Sequence, residues 1–153
     1  MRIHTLAAVA ATALLASAGV ADAREPSYSP VQTEIVISDA DSTAVKTLSC
    51  EWTDPQPEDM KCIRFNGDPQ TAFREIEKAD GVRADVTTQS KYGRSKTTYS
   101  RRGDNTWLVR ISRAGLPFET GFVCTSDGQN CEEWTTMGGK SARKAVKAAA
   151  ARL

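Results

Sequence analysis

Apolar residues recur at every second position in three stretches of the second half of the chain. Val82, Ala84 and Val86 alternate with Arg83, Asp85 and Thr87. Trp107, Val109 and Ile111 alternate with Thr106, Leu108 and Arg110, and Phe118, Thr120, Phe122 and Cys124 form a third set. Successive side chains on a strand point to opposite faces, so a period of two predicts half-buried strands. Turn signals fall between them at Tyr92-Gly93-Arg94, Arg102-Gly103-Asp104-Asn105 and Ser126-Asp127-Gly128, a spacing that suits an antiparallel meander. Nearer the N-terminus, 31–37, 45–52 and 61–65 carry β-branched and aromatic residues between turn signals and predict three more strands.

The period lengthens to that of a helix once. Ala72, Phe73, Ile76 and Ala79 line one face of a segment with Asp68 as a natural N-cap and Pro69 at the first helical position. Gly81 suits the C′ position that ends it. This predicts one packed helix over about 69–80. After Gly138-Gly139, an alanine- and lysine-rich tail favours helix over about 140–152 by propensity. That tail has little to bury and is expected to fray. The expected fold is α+β: one antiparallel sheet, a meander of about 6–8 strands, with one packed helix and a C-terminal helix.

The first residues read as a secretory signal peptide. Arg2 is followed by an apolar run over 6–20 and by Ala21-Asp22-Ala23, the small-x-small pattern of a cleavage site. The run is shorter than the roughly 20 residues that span a bilayer. The chain therefore divides into a signal peptide (1–23), a polar lead (24–30), a disulfide-stapled domain (31–137) and a basic alanine-rich tail (138–153). The mature protein is expected to be exported, periplasmic or secreted, and not membrane-spanning.

His4, the only histidine, lies in the signal peptide. The remaining domain therefore has no imidazole for a Ser-His-Asp or Cys-His centre or for a histidine-ligated zinc. Any catalyst would have to use carboxylates, lysine, tyrosine or a free thiol. Four cysteines, Cys50, Cys62, Cys124 and Cys131, read as two disulfides in an oxidising compartment. Four cysteines allow three pairings. The spacing favours Cys50–Cys62 and Cys124–Cys131, each bracketing a turn-rich stretch and each expected to staple a hairpin. The absence of a C-x-x-C pair argues against a thiolate zinc site, a thioredoxin-type redox site and attached haem. No metal or cofactor is implied.

Charge is unevenly spread. Residues 24–80 carry 6 basic and 12 acidic side chains, whereas 81–153 carry 13 basic and 6 acidic. Such asymmetry marks either opposite faces or halves that attract each other across the sheet. Between Arg83 and Arg113 eight basic residues meet only Asp85 and Asp104, and Tyr92, Tyr99 and Trp107 are interleaved with them. Cations with stacking aromatics are what polyanion binding requires. Lys91, Tyr92, Arg94, Lys96, Tyr99, Arg101, Arg102 and Arg110 are the candidate binding residues, and Trp107 is assigned to the core.

Other motifs carry less. Ser141-Ala142-Arg143-Lys144 has the S-x-x-K spelling of serine β-lactamases but lies in a polar tail without a K-T-G partner. Arg102-Gly103-Asp104 spells an integrin tripeptide at an expected hairpin tip. Asp39, Asp41, Glu132 and Glu133 could be metal ligands or catalytic carboxylates, but Glu132 and Glu133 should face opposite sides of a strand. The reading that follows is a non-enzymatic binding module contacting an anionic envelope polymer or another protein, rather than nucleic acid, through the basic face. The alternatives are a histidine-free hydrolase with paired carboxylates and an inhibitor presenting a disulfide-stapled loop.

Overall fold

The computed structural model describes residues 29–54, Cys62, Phe65 and 68–153. The expected signal peptide and most of the polar lead lie outside these residues. Among the described residues seven strands form one antiparallel sheet: β1 (Ser29–Ser38), β2 (Ala44–Asp54), β3 (Arg83–Ser90), β4 (Gly93–Arg101), β5 (Trp107–Arg113), β6 (Thr120–Cys124) and β7 (Cys131–Thr135). Two helices lie wholly within the described residues, α1 (Pro69–Lys78) and α2 (Ala142–Ala151). The α+β architecture expected from periodicity is present, with an antiparallel sheet, a packed helix and a C-terminal helix.

The spatial order is β2-β1-β3-β4-β5-β6-β7. β1 pairs antiparallel with both β2 and β3, so the chain must cross β1 between β2 and β3, and α1 lies in that crossing. From β3 onward the strands run as a plain meander. The expected strand at 61–65 is not seen at its described positions: Cys62 and Phe65 are both helical. β-branched and aromatic composition there reflects burial, since both residues are in the core, and burial does not discriminate strand from helix.

Alternation gives the sheet two different faces. On one face Ile35, Ile37, Ala84, Val86, Tyr99, Trp107 and Val109 pack with Phe65 and with Ala72, Phe73 and Ile76 of α1. Trp107 is fully buried and stacks on Phe73 at 4.4 Å between centroids with 4° between planes. On the opposite face Leu108, Val123 and Trp134 pack with Ala142, Ala145, Val146, Ala149 and Ala150 of α2. The C-terminal tail thus buries more than its composition suggested. Five small apolar residues recur at helical spacing, and Ala149 is completely enclosed.

Both helix starts follow their local chemistry. Asp68 accepts from the Thr71 amide at 2.8 Å, with Pro69 opening the helix. Ser141 accepts from the Lys144 amide at 3.4 Å. The end of α1 differs from the expectation. Asp80, with φ of 58°, occupies the left-handed C′ position, while Gly81 follows it and donates to Ile76 O at 2.9 Å. Gly81 is needed for closeness, because a Cβ there would meet Ile37 Cγ2 at 2.4 Å. That contact ties the end of α1 to β1.

The two cysteine pairs are Cys50–Cys62 and Cys124–Cys131, as the spacing favoured. Cys124 and Cys131 are direct cross-strand partners, so this bond staples the β6–β7 hairpin. Cys50–Cys62 does not staple a hairpin. It joins edge strand β2 to a helical residue beneath the sheet.

Among the described glycines, Gly121 has the least room for a side chain. It stands between Arg110 and Trp134, whose indole lies beside it and donates Nε1–H to Val109 O at 3.3 Å. A Cβ at Gly121 would lie 1.8 Å from that carbonyl oxygen and 2.9 Å from the indole nitrogen. Gly121→Ala should therefore destabilise the fold by about 2–3 kcal/mol or more. Gly103→Ala, where a Cβ meets nothing within 4 Å, should stay within about 0.5 kcal/mol of the native protein. Denaturant titration of the two variants checks this, and equal stabilities would contradict the packing described.

Tyr99 generates a second expectation. Burial, with a smaller contribution from the Asp68 charge, pushes its phenol from 10.0 to about 12. The fold thus favours neutral Tyr99, so the associated stability is complete below pH 10 and is lost as pH rises towards 12. The size of the shift corresponds to roughly 2–3 kcal/mol. Alkaline unfolding curves should lose this limb in Tyr99→Phe. Phenol absorbance showing Tyr99 ionised near pH 10 would contradict its placement.

Candidate functional site

Strand alternation divides the eight candidate binding residues. Tyr99 and Arg101 lie on the α1 face, whereas Arg94, Lys96 and Arg110 lie on the α2 face. Tyr99 is a core residue, 7% exposed, packed edge-on against Phe65 and Phe73, so it offers no stacking surface. Arg101 donates to Glu77 at 2.7 Å and lies over the Trp107 ring at 5.3 Å. The single continuous face drawn from sequence is therefore corrected on these two residues. Positions an odd number apart along a strand face opposite sides of the sheet, so Tyr99 and Arg101 share one side and Arg94 and Lys96 the other.

Lys91 and Tyr92 form the exposed tip of the β3–β4 hairpin, with the ammonium 5.1 Å from the ring centroid. Arg94 lines a shallow cavity together with Glu34 and Glu51. Together with Arg101–Glu77, this places basic side chains of the second half of the chain beside acidic ones of the first. Lys96 lies 3.9 Å from Asp85, which also holds Arg83 at 3.0 Å. Burial opposes ionisation of Asp85, but hydrogen bonds from Arg83 and Thr98 and the charges of Arg83 and Lys96 outweigh it. The Asp85 carboxyl is thus held below its usual range.

Arg102 and Asp104 of the integrin-like tripeptide pair with each other at 3.1 Å. Asp104 also accepts from the Thr106 hydroxyl, the main reason its carboxyl is held below the usual range. Asp39 accepts from the amides of Asp41 and Thr43, both at 2.9 Å, which fixes the β1–β2 turn. Ser141 is the N-cap of α2, the structural use of its S-x-x-K spelling. The 126–130 loop turns back on the fold, since Gly128 is buried against Gln70 and Phe73. Residues 55–61 of the other stapled loop lie outside the described residues.

A cavity of about 1330 Å³ lies along β7, the edge strand of the described sheet. Glu132 and Glu133 both line it, but they stand on opposite faces of the strand, and Glu132 pairs with Arg152 at 3.7 Å. They do not converge on one reacting atom. Among the described residues no cluster of three metal-ligating side chains occurs, and no helix is long and apolar enough to cross a membrane.

Four cations line a groove of about 430 Å³ between α2 and β5. Arg102 and Arg110 from the sheet and Arg143 and Lys147 from the helix flank it, over Leu108, Ala142 and Val146. None of the lining residues is acidic. Arg110 lies 5.8 Å from the Trp134 ring centroid and 3.4 Å from Glu119, a charge contact without a directed hydrogen bond from Nε. Arg143 and Lys147 are exposed, and no carboxylate among the described residues pairs with either.

Sequence reasoning missed Arg143 and Lys147 because it took the tail to be unpacked. The available signal was their spacing of four, which sets both beside the apolar stripe of Ala142, Ala145, Val146 and Ala149. No family model matches the chain, and the comparisons with curated proteins and with solved structures also gave no match.

Proposed function

We propose that this chain is a small exported, non-enzymatic module that binds an anionic envelope component on the α2 face of its sheet. The observation that carries this reading is the groove flanked by Arg102, Arg110, Arg143 and Lys147, with no carboxylate among its lining residues. Lys96 lies on the same face one strand away, beside Asp85. Export is supported by the signal-like pattern over 1–23 and by two disulfides, which persist in oxidising compartments.

The test is salt dependence with labelled inorganic polyphosphate as the probe. Each neutralised phosphate on a flexible polymer releases counterions and adds roughly −0.7 to the slope of log K against log salt. About four contacts should give a slope near −3. Replacing Arg143 and Lys147 by alanine should flatten it by about 1.4, with the melting temperature nearly unchanged, because exposed charges contribute little to stability. A slope unaltered by these substitutions would place binding elsewhere, and absence of binding at low salt would overturn the reading.

A further inference from the structure

The same groove has a second chemical character. Although four cations flank it, the surface it exposes is almost wholly carbon. Leu108, Ala142 and Val146 supply the floor, and the aliphatic stems of the arginines and lysine supply the walls. Long basic side chains arranged in this way lay their stems along apolar surface and carry their charges to the mouth. A pure polyanion would use the charges and leave the floor wet. Its volume of about 430 Å³ falls within the roughly 300–1,000 Å³ of small-molecule sites.

We propose that the groove between α2 and β5 holds a single anionic amphiphile, its alkyl chain on Leu108, Ala142 and Val146 and its phosphate-class head at Arg143 and Lys147. The proposal rests on the anion-binding reading and names the ligand class for that site. Charge complementarity selects the head. Arg102 and Arg110 are already engaged by Asp104 and Glu119, whereas Arg143 and Lys147 have no carboxylate partner among the described residues. The floor selects the tail, because burying a methylene is favourable wherever water leaves both surfaces.

The probe is monomeric dodecyl phosphate, compared with octyl and decyl phosphate, inorganic phosphate and neutral dodecyl maltoside, by calorimetry with the full oxidised protein. Affinity should rise about fourfold for each methylene added until the groove is filled. Inorganic phosphate and the maltoside should each bind at least tenfold more weakly than dodecyl phosphate. Val146→Ser should reduce the chain-length dependence, and Lys147→Gln should weaken every phosphate alike. Ala142→Asp sets a carboxylate on the partly buried floor, at a helix first turn that favours it electrostatically, and its melting temperature, measured alongside, separates lost binding from lost folding. It should repel the head and weaken dodecyl phosphate at least tenfold.

Polyphosphate binding without any chain-length dependence among the alkyl phosphates overturns the amphiphile and leaves the anion-binding module standing. Failure of both probes overturns both. Binding only to anionic phospholipid vesicles, with none to monomeric dodecyl phosphate, also overturns the groove as a single-amphiphile site. So does an Ala142→Asp variant that binds dodecyl phosphate as the native protein does.

Discussion

The stack of Trp107 on Phe73 fixes the relation between the meander and the helix that crosses it. Trp107 is the first residue of β5, and its fully buried ring meets Phe73 in the middle of α1. Once Trp107 points towards α1, alternation leaves no freedom along the strand. Val109 must follow it into the core, and Leu108 and Arg110 must face the other way. Cross-strand pairing carries the same assignment to β4, where Tyr99 goes inward and Lys96 outward. The cationic surface is thus set by a core contact on the opposite side of the sheet.

The far side needs its own cover, and α2 supplies it only over the end formed by β5, β6 and β7. Where α2 stops, no other described helix covers the face towards β4, and the groove runs along the margin of α2. A small-residue stripe lets α2 lie close to Val123 and Trp134, while Gly121 leaves room for the indole that donates to Val109 O. The indole in turn stands beside Arg110. Close packing under the helix and cation placement at its edge are therefore consequences of the same few residues.

Much of this was legible in the sequence, for identifiable reasons. Strict alternation, as from Ala84 to Val86 and from Val109 to Ile111, reports a strand directly, and Asp68-Pro69 reports a helix start through its own hydrogen-bond chemistry. Disulfide pairing followed from short separations. What failed was non-local. Whether Cys62 and Phe65 are strand or helix depends on the core contacts they make, which composition does not encode. The reach of α2 depended on a partner surface, Leu108, Val123 and Trp134, scattered over three strands. The candidate site was half legible: charge density is visible, and period two groups Arg101 with Tyr99 on β4 and sets Arg110 opposite to Val109 on β5. That the two arginines face opposite ways follows only from the pairing of Tyr99 with Val109, which is non-local.

If the functional surface is the α2 side of the sheet, amide chemical-shift mapping during titration with polyphosphate at low salt tests it most directly. The largest changes are predicted at Leu108, Arg110, Arg143, Val146 and Lys147, with Arg101 and Trp107 nearly still. Changes centred on α1, or on the Lys91–Tyr92 hairpin tip, would contradict it.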